Sequence, residues 1–523
     1  MSFSLEQVIG QKLLWSFNGH TPPPAFLAAL SGGRVSGVTL FRSMNLDHPA
    51  QIRELTDTLQ RAARAADQPP LLIGADQEGG TLMAVPGTTR FPGNLALGAT
   101  RSEELARRVG CALGSELAAV GINLNYAPVC DVINNAHNPV VGPRSFGADP
   151  QLVAQLSVAL IQGLQAAGVA AAAKHFPGHG DSTTDSHHQM EVLPHDAARL
   201  RAMEFVPFQA AIQSGVKLMM TAHIALPNFD DGYQRPATLS PRILRGLLRD
   251  ELKFGGVVIS DALDMHAIQQ GPLNIIEMVS GARAGLDLLL LTSFVDQALI
   301  YEALLLAARR GLLQEGELRS SVERITALKQ WLTQYTPPDL SVVGCAEHAA
   351  LANEIAQKSI TLVRDEARQL PLRLAADARL AVIVPQPKDL TPADTSSYDQ
   401  PALADALRVY HANLDEVVMP LEPTAAEVAA LRDRVAGAAQ IIIGTINADQ
   451  HPGQAALINS LIELGQPVIA VALRMPYDIL AYPRVATYLC TYSLQPASLQ
   501  ALAQVLWGRL ACVGQLPVEL PGR

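Results

Sequence analysis

The chain has few cysteines for its length, and they form no recognisable pattern. Its five cysteines (Cys111, Cys130, Cys345, Cys490 and Cys512) lie far apart among 523 residues, are odd in number and include no C-x-x-C pair. Disulfide frameworks and zinc knuckles depend on paired, closely spaced cysteines. We therefore expect buried free thiols rather than disulfides or a structural zinc site.

Long apolar runs and a concentrated basic surface are also missing. No apolar stretch reaches the ~18 residues of a membrane-spanning helix, and the first residues, MSFSLEQVIGQKLLW, show no basic segment followed by a long apolar one. The formal net charge is −10, and the lysines and arginines form no stripe. We therefore expect a cytoplasmic protein that acts on a neutral small substrate, with neither nucleic acid nor a membrane as partner. The sequence leaves the oligomeric state open.

What the chain does contain is a series of eight short apolar runs separated by longer amphipathic segments. The runs are KLLWSFN (12–18), GVTLFR (37–42), LLIGAD (71–76), INLNYAP (122–128), VAAAAKH (169–175), KLMMTAH (217–223), GVVISDA (256–262) and LDLLLLT (286–292). A nearly continuous apolar run is typical of a strand buried on both faces, and helix formers at helical spacing fill most of the segments between the runs. Eight alternations of strand and helix predict an α/β fold, a (β/α)8 TIM-like barrel.

Seven of the eight runs end in polar residues. These residues are Asn18, Arg42, Asp76, Asn125, Lys174 with His175, His223 and Asp261. In a (β/α)8 barrel the carboxyl ends of all strands converge on one face, where active sites are built. We therefore expect these side chains to meet there, although they lie far apart in the sequence.

The pattern changes after about residue 310. A predicted helix, GLLQEGELRSSVERITALKQWL, is followed by a proline-containing connection, YTPPDLSVVG. Five further strand-like runs are LAVIVPQP (380–387), LDEVVMPLE (414–422), IIIGTIN (441–447), VIAVALR (468–474) and ATYLCTYS (486–493). We predict a barrel domain over residues 1–335, a linker over 336–350 and a second α/β domain with a mostly parallel sheet over 351–523. No glycine-rich phosphate fingerprint is present, so we expect no nucleotide cofactor.

The segment AAAKHFPGHGDSTTDSHHQME (171–191) concentrates histidines in a loop interrupted by proline and glycine, and a metal site, an acid/base site and a plain polar loop are all open for it. His175 and His179 are four residues apart, but Pro177 prevents the helical turn that would put them on one face, so we expect no metal. Asp185 and His187 project to the same side of an extended backbone. A carboxylate beside an imidazole fixes its tautomer and lets the other nitrogen exchange a proton near neutral pH.

Several motifs together resemble glycoside hydrolase family 3, and within it the β-N-acetylglucosaminidase branch. They are DQEGG (76–80), APVCDV (127–132), GPRSFGADP (142–150), KHFPGHGDSTTDSH (174–187), MMTAHIALP (219–227), VVISDALDM (257–265), KSITLVRDE (358–366), LRMPYDI (473–479) and GQLPVELP (514–521). The resemblance covers nearly the whole chain. It implies a TIM-like barrel followed by an αβα sandwich domain.

The resemblance also implies roles for individual residues. Asp261 is implied as the nucleophile, His187 as the general acid/base, and Asp185 as the partner of His187. The implied ligands of the sugar are Asp76, Arg144, Lys174 and His175, and we add His223 as a residue that either contacts substrate or packs against the site. No metal and no cofactor are implied. A nucleophile on one face of a sugar and a proton donor on the other is the arrangement that a retaining glycosidase needs.

Two positions depart from the family pattern. Thr81 stands after DQEGG, where an arginine is common, and Pro143 precedes Arg144, where an acidic residue is common. Because these positions lie close to Asp76 and Arg144, we expect the two departures to affect which sugars the subsites prefer sooner than they affect the catalytic chemistry.

The expected function is that of an exo-acting, retaining β-N-acetylhexosaminidase that releases terminal GlcNAc from peptidoglycan fragments or chito-oligosaccharides. A phosphorylase on the same scaffold is the first competing hypothesis, because a histidine donor does not repel phosphate as a carboxylate would. A β-glucosidase, a catalytically silent sugar-binding protein and a metallohydrolase are three more competing hypotheses.

Overall fold

The computed structural model describes residues 3–184, 190–268 and 274–521, and within these ranges it contains 18 strands and 16 α-helices. The strands are β1 Leu13–Trp15, β2 Gly37–Thr39, β3 Leu72–Ala75, β4 Gln77–Gly79, β5 Leu82–Met83, β6 Leu124–Asn125, β7 Ala170–Phe176, β8 Glu191–Val192, β9 Leu218–Thr221, β10 Ile224–Ala225, β11 Val257–Ser260, β12 Leu289–Leu290, β13 Thr361–Asp365, β14 Leu380–Pro385, β15 Leu414–Met419, β16 Gln440–Thr445, β17 Val468–Ala472 and β18 Thr487–Cys490.

The helices alternate with the strands along most of the chain. The α-helices are α1 Leu5–Gly10, α2 Pro24–Ser31, α3 Pro49–Ala65, α4 Asn94–Thr100, α5 Glu103–Ala119, α6 Pro150–Ala166, α7 Ala197–Ala202, α8 Phe205–Gln213, α9 Ile275–Ala284, α10 Gln297–Arg309, α11 Glu315–Leu332, α12 Ala346–Ser359, α13 Leu403–Arg408, α14 Ala425–Val435, α15 Pro452–Glu463 and α16 Pro496–Leu506. A further helix, Arg242–Glu251, has π-type hydrogen bonds, and short 3-10 turns cover Gly142–Arg144, Ala237–Leu239, Leu340–Val342, Ser396–Tyr398 and Pro476–Leu480.

Eight parallel strands form a barrel in the first part of the chain. Their order is β11-β9-β7-β6-β3-β2-β1-β12, and every neighbouring pair is parallel. A parallel bridge between Ile259 of β11 and Leu288, just before β12, brings the two ends of the sheet together. The eight apolar runs of the sequence correspond one by one to these strands, so the predicted (β/α)8 barrel is confirmed.

The interior of the barrel is filled by side chains of its strands. Leu14, Leu72, Leu124 and their counterparts on the neighbouring strands form one fully buried apolar cluster. Tyr126 closes the top of this cluster, and its hydroxyl lies 2.7 Å from the Thr39 hydroxyl. Glycine is required at position 74, because a Cβ there would lie 2.4 Å from the Tyr126 hydroxyl oxygen. The barrel is therefore a packed core that carries a site only at its rim.

The outer helices form for local reasons that the sequence shows. Helix α5 begins after Ser102, whose hydroxyl accepts a hydrogen bond from the Leu105 amide at 3.2 Å. Two glutamates in its first turn stabilise the helix, because their negative charges lie at the positive end of the helix dipole. Its buried residues recur at helical spacing, as in Leu105, Val109 and Leu113, and this face packs on the barrel.

A second sheet of six strands lies in the last third of the chain, in the order β13-β18-β17-β16-β14-β15. Successive residues of its strands point to two different apolar clusters, since Ile441 and Ile443 belong to one and Ile442 to the other. Helices α14 and α15 cover one face, and α13 and α16 cover the other. The predicted αβα sandwich with a mostly parallel sheet is thereby confirmed.

One strand of this sheet, β13, was not predicted from the sequence. β13 pairs antiparallel with β18 at the edge of the sheet, and it is only partly buried. Its sequence, TLVRD, combines an apolar start with a charged end, so it lacks the continuous apolar character by which the five other strands were found. The division of the chain at residues 336–350 stays a prediction.

The two sheets share apolar cores. Leu95, Val129 and Val141 of the barrel half belong to the same buried cluster as Tyr477 and Ile479 of the second sheet's half. Helix α12 packs its first buried residues against the barrel core and its last against the second sheet. Apolar burial on this scale holds the sandwich against the barrel rim.

In the described ranges, the helices are too short or too polar for a membrane span. The cytoplasmic location expected from the sequence stays a prediction.

Candidate active site

A cavity of about 660 Å³ opens at the carboxyl ends of the barrel strands. Six of the residues predicted from the sequence line it: Arg42 after β2, Asp76 after β3, Arg144 in the turn that follows β6, Lys174 and His175 on β7, and Asp261 after β11. The structure therefore brings together residues that are far apart in the sequence. The convergence of strand ends at one rim is the physical reason.

Two predicted residues, Asp185 and His187, lie outside the described residues. Their implied roles as acid/base and partner consequently stay predictions.

The floor of the cavity is a network of alternating charges. The Lys174 ammonium donates to Asp76 Oδ1 at 2.7 Å and to Glu78 Oε1 at 2.6 Å. The Arg144 guanidinium donates two parallel hydrogen bonds to the Glu78 carboxylate, at 2.9 and 2.8 Å. The side chains of Lys174, Arg144 and Glu78 are 3% exposed or less, whereas that of Asp76 is 29% exposed. Asp76 is therefore the most exposed member of the network, although Lys174 and Arg144 also line the cavity.

Glu78 was missed by the sequence analysis, although it lies in the quoted DQEGG motif. The missed signal is its position two residues after Asp76, in the short strand β4, which turns back into the site. Without its carboxylate, the buried charges of Arg144 and Lys174 would have no common counterion.

The charges of this network shift its pKa values. Burial would raise the pKa of Glu78, but the adjacent Arg144 and Lys174 charges lower it to about 2. Burial would lower the pKa of Lys174, but the carboxylates of Asp76 and Glu78 raise it. Burial raises the pKa of Asp76, and Lys174 opposes that rise. Glu78, Lys174 and Arg144 therefore carry full charges at neutral pH and hold a fixed field around the cavity floor.

His175 is held neutral beside this network. Its Nδ1 lies 2.7 Å from Asp131 Oδ2, and the other Asp131 oxygen accepts hydrogen bonds from the main-chain amides of His175 and His179. Burial, followed by the positive charges of Arg144 and Lys174, lowers the pKa of His175 well below its ordinary value. A neutral imidazole oriented by a carboxylate presents its Nε2 in one fixed direction. Asp131, in the APVCDV motif, is a second functional residue that the sequence analysis did not single out.

Asp261 stands at the end of β11, on the wall of the cavity. Its main-chain amide donates to the Thr221 carbonyl at 3.3 Å, and its Oδ1 accepts from the Ala262 amide at 2.8 Å. A carboxylate fixed at a strand end and facing a cavity can act as a nucleophile toward a sugar bound on the charged floor.

His223, predicted as a substrate-binding residue, lies behind Asp261. Its Nε2 donates to the Ala262 carbonyl at 3.0 Å, and its Nδ1 lies 2.8 Å from the Thr238 hydroxyl. It is 1% exposed and is not among the residues that line the cavity. The structure thus places His223 in contact with the main chain next to Asp261 and not on the cavity surface.

The two sides of the segment that carries the predicted dyad are tied to each other. Asp181 Oδ2 lies 2.6 Å from His195 Nε2, and the Thr184 amide donates to Glu191 Oε2 at 2.8 Å. These contacts hold the beginning and the end of the segment together.

One group of possible metal ligands occurs in the described part of the chain. It consists of Asp181, His195 and Glu204, and it lies outside the cavity. Arg199 donates to Glu204 at 2.8 Å and lies 3.9 Å from Asp181. A guanidinium already supplies positive charge beside both carboxylates, so their charge needs no metal ion to balance it.

The second sheet's half of the chain also contributes to the cavity. Residues between Asp389 and Tyr398 form part of its wall, opposite the barrel. Thr395 joins this segment to the β4–β5 hairpin, because its hydroxyl accepts from the Met83 amide at 3.0 Å and its amide donates to the Thr81 carbonyl at 2.8 Å. No sequence motif marks this segment, so its place in the site was not predictable.

Comparisons with known proteins agree with this arrangement. The model of the glycosyl hydrolase family 3 N terminal domain matches residues 9–328. Beta-hexosaminidase A of Pseudoalteromonas piscicida is 31% identical, with 98% of this chain and 96% of that protein aligned. A protein of Cellulomonas fimi named beta-N-acetylglucosaminidase/beta-glucosidase is 30% identical, with 98% and 93% aligned.

A solved structure shows the same likeness over the full length. The glycoside hydrolase family 3 beta-N-acetylglucosaminidase from Paenibacillus sp. str. FPU-7 is 37% identical to this chain. The superposition covers 99% of each of the two chains and has a TM-score of 0.93. A family model over more than half of the chain and relatives of at least 30% identity over nearly all of it agree with the motifs of the sequence. The chain belongs to glycosyl hydrolase family 3.

Proposed function

We propose that the protein is a retaining exo-β-N-acetylhexosaminidase that hydrolyses terminal β-linked GlcNAc from small glycosides. One observation carries this proposal: Asp261 and the charged floor formed by Asp76, Lys174 and Arg144 line a single cavity at the barrel rim. Full-length relatives named beta-hexosaminidase and beta-N-acetylglucosaminidase support the choice of sugar. Peptidoglycan fragments and chito-oligosaccharides are the two substrate classes that we consider.

The cavity floor would hold the terminal sugar. Asp76 can accept a hydrogen bond from one sugar hydroxyl, and Lys174, which is bonded to Asp76, can donate to another. His175, neutral and fixed by Asp131, adds a directional contact. Because these groups are already oriented, little side-chain entropy is lost when the sugar binds.

The reaction then takes two displacements at the anomeric carbon. In the first, an Asp261 carboxylate oxygen forms a bond to that carbon while the bond to the leaving oxygen breaks, and His187 gives its proton to that oxygen. In the second, His187 takes a proton from water, the water oxygen bonds to the same carbon, and Asp261 leaves as a carboxylate. Asp185 would stabilise the imidazolium form of His187 between protonations.

His223 would serve as a positioning residue. Its hydrogen bond to the Ala262 carbonyl holds the peptide next to Asp261, so it would set the direction from which the carboxylate attacks.

Kinetics with aryl N-acetylglucosaminides test the proposal. We expect Asp261→Asn to lose nearly all activity, because an amide cannot form the glycosyl ester. For His187→Ala we expect a loss of rate that becomes smaller as the phenol becomes more acidic and needs less protonation. Equal losses with every phenol would show that His187 is not the acid, and an active Asp261→Asn would overturn the proposal. The same assays with phosphate, followed by analysis for GlcNAc-1-phosphate, separate hydrolysis from phosphorolysis.

A β-glucosidase activity is the second candidate, because the Cellulomonas fimi relative is named for both activities. Rates with matched aryl glucosides and aryl N-acetylglucosaminides decide between a dual and a specific enzyme. We expect the N-acetylglucosaminide to react at least tenfold faster.

A further inference from the structure

The cavity has a deep end and a mouth that differ in chemistry. Lys174 and Arg144 at the deep end are almost fully buried. At the mouth, Tyr398 is 51% exposed and Phe294 is 77% exposed. If the proposed function holds, an exo-acting enzyme places the terminal GlcNAc at the deep end. The leaving group must then extend past Asp261 toward the mouth.

Arg42 is the cation of this mouth. It follows β2, lines the cavity and lies with its guanidinium carbon 4.0 Å from the centre of the Tyr398 ring. Its Nη1 donates to the Met83 carbonyl at 2.8 Å. No carboxylate of the described residues lies within 4.0 Å of this guanidinium, in contrast to Arg144 on the floor. A half-buried guanidinium with several free donors is suited to bind an anion.

The neighbouring carboxylates are already engaged with other groups. Asp389 accepts from the amide and hydroxyl of Ser397, both at 2.7 Å. Asp394 pairs with Arg474 at 2.6 Å, and Asp399 pairs with Arg90. Through these contacts the three acids stabilise the part of the cavity wall that follows residue 388. Among the described residues that line the mouth, Arg42 is therefore the arginine that a ligand carboxylate can contact.

The position of Arg42 is fixed from two sides. The Met83 carbonyl that it binds belongs to the residue whose amide donates to Thr395, so one short hairpin holds both Arg42 and the segment that carries Tyr398. Stacking of a guanidinium on a tyrosine ring leaves its edge, where the N–H groups lie, free for a planar partner.

We propose that Arg42, supported by Tyr398, binds a carboxylate on the leaving-group sugar and so makes the enzyme select acidic disaccharides. This inference rests on the proposed function and deepens it, and it replaces the neutral substrate expected from the overall charge. The carboxylate could belong to a lactyl ether, as in muramic acid, or to a uronic acid. Both are planar acceptors that match the guanidinium fork.

Three disaccharides with GlcNAc at the non-reducing end test the inference. Their leaving sugars are GlcNAc, which is neutral, N-acetylmuramic acid and glucuronic acid, and kcat/KM is measured for each. We expect the wild-type protein to favour at least one acidic disaccharide over the neutral one by about tenfold, which corresponds to about 1.4 kcal/mol. Whichever acid is favoured identifies the source of the carboxylate. The preference should shrink as salt rises from low to high concentration.

Two variants of Arg42 show whether this residue is responsible. In Arg42→Gln we expect the ratio of acidic to neutral kcat/KM to fall to about one, mainly through a higher KM for the acidic substrate. In Arg42→Lys part of the ratio should remain, because the charge is kept but the fork is lost. Arg107→Gln is the control, because Arg107 is an exposed arginine of α5 whose loss removes the same charge far from the cavity. We expect its ratio to equal that of the wild type.

Several results would overturn the inference. A wild-type protein that cleaves all three disaccharides equally, or that prefers a neutral leaving sugar, does not select by charge. An Arg42→Gln variant that loses the same factor on every substrate would show that Arg42 only joins the two halves of the molecule. A wild-type protein that releases GlcNAc neither from these disaccharides nor from an aryl glycoside would refute the proposed function itself.

Discussion

Glu78 shows how much of the site depends on one buried carboxylate. It bridges Arg144 and Lys174 and is the counterion that these two buried cations share, while Asp76 is a further partner of Lys174. Sequence analysis found Arg144 and Lys174 through the family motifs but not the acid between them. A motif marks which residues are present, whereas the partner of a buried charge is fixed by the fold.

The substitution Glu78→Gln tests this dependence. We expect the free energy of unfolding at neutral pH to fall by about 3 kcal/mol, because buried Arg144 loses its carboxylate partner and Lys174 keeps only Asp76. Glu78 has its pKa lowered to about 2 in the folded protein, so its contribution is fully present above the ordinary value of 4.5 and is lost as the pH falls toward 2. The difference between wild type and variant should therefore shrink below pH 4.5. Urea unfolding between pH 7 and pH 3.5 measures it.

The control for this experiment is Glu104→Gln. Glu104 pairs with Arg107 on the exposed surface of α5, so its loss should leave the unfolding midpoint unchanged. A Glu78→Gln protein as stable as wild type at pH 7, or a difference that grows as the pH falls, would contradict the role assigned to this carboxylate.

At the scale of elements, the apolar runs were sufficient to predict the strands that are buried on both faces. All eight barrel strands and five of the six strands of the second sheet were found in this way. β13 was missed because an edge strand does not need a continuous apolar sequence. The helix Arg242–Glu251 has π-type hydrogen bonds that its amphipathic sequence did not indicate, since helical spacing is similar in both forms.

The segment between Asp181 and His195 allows a prediction about an element. The ring of His195 and the carboxylate of Asp181 join the two sides of the segment in which the proposed acid, His187, lies. Loss of this contact should misplace the proton donor rather than the nucleophile. We expect Asp181→Ala to lower kcat for a disaccharide about tenfold and to have a much smaller effect on an aryl glycoside with an acidic phenol.

A surface carboxylate provides the comparison. Asp231→Ala removes an acid that pairs with Arg242 at an exposed position, and it should leave both rates unchanged. If Asp181→Ala lowered the two rates by the same factor, the contact would not act through proton donation.

At the scale of the whole molecule, the barrel and the sandwich share their apolar cores, so they should unfold together. Val141 is fully buried in the cluster that contains residues of both halves. A charge there would have no partner, and we expect Val141→Asp to lower the free energy of unfolding by about 3 kcal/mol or more and to split one thermal transition into two. Differential scanning calorimetry measures both effects.

Val409→Asp is the matched substitution at an exposed site of the second domain, where the valine is 79% exposed. Its transition should coincide with that of the wild type. Two separate transitions in the wild-type protein would contradict the view that the two halves form one cooperative unit.

The order of the two domains along the chain was predictable, but their joint wall around the cavity was not. The barrel strands, the sandwich and six cavity-lining residues followed from apolar patterning and motifs. The segment from Asp389 to Tyr398 carries no motif, and its place beside Asp261 depends on how two apolar surfaces dock. Docking of this kind is a property of the assembled surfaces and not of any local pattern.

The hydrogen bonds between Thr395 and the hairpin at Met83 connect parts of the chain 312 positions apart. They make the entrance of the pocket a joint product of two regions that can accumulate mutations separately. Evolution could retune which glycosides are accepted by altering the stretch around Thr395 while the hydrolytic centre on the strands stays untouched. Grafting that stretch from one relative into another is therefore a route to new substrate selectivity.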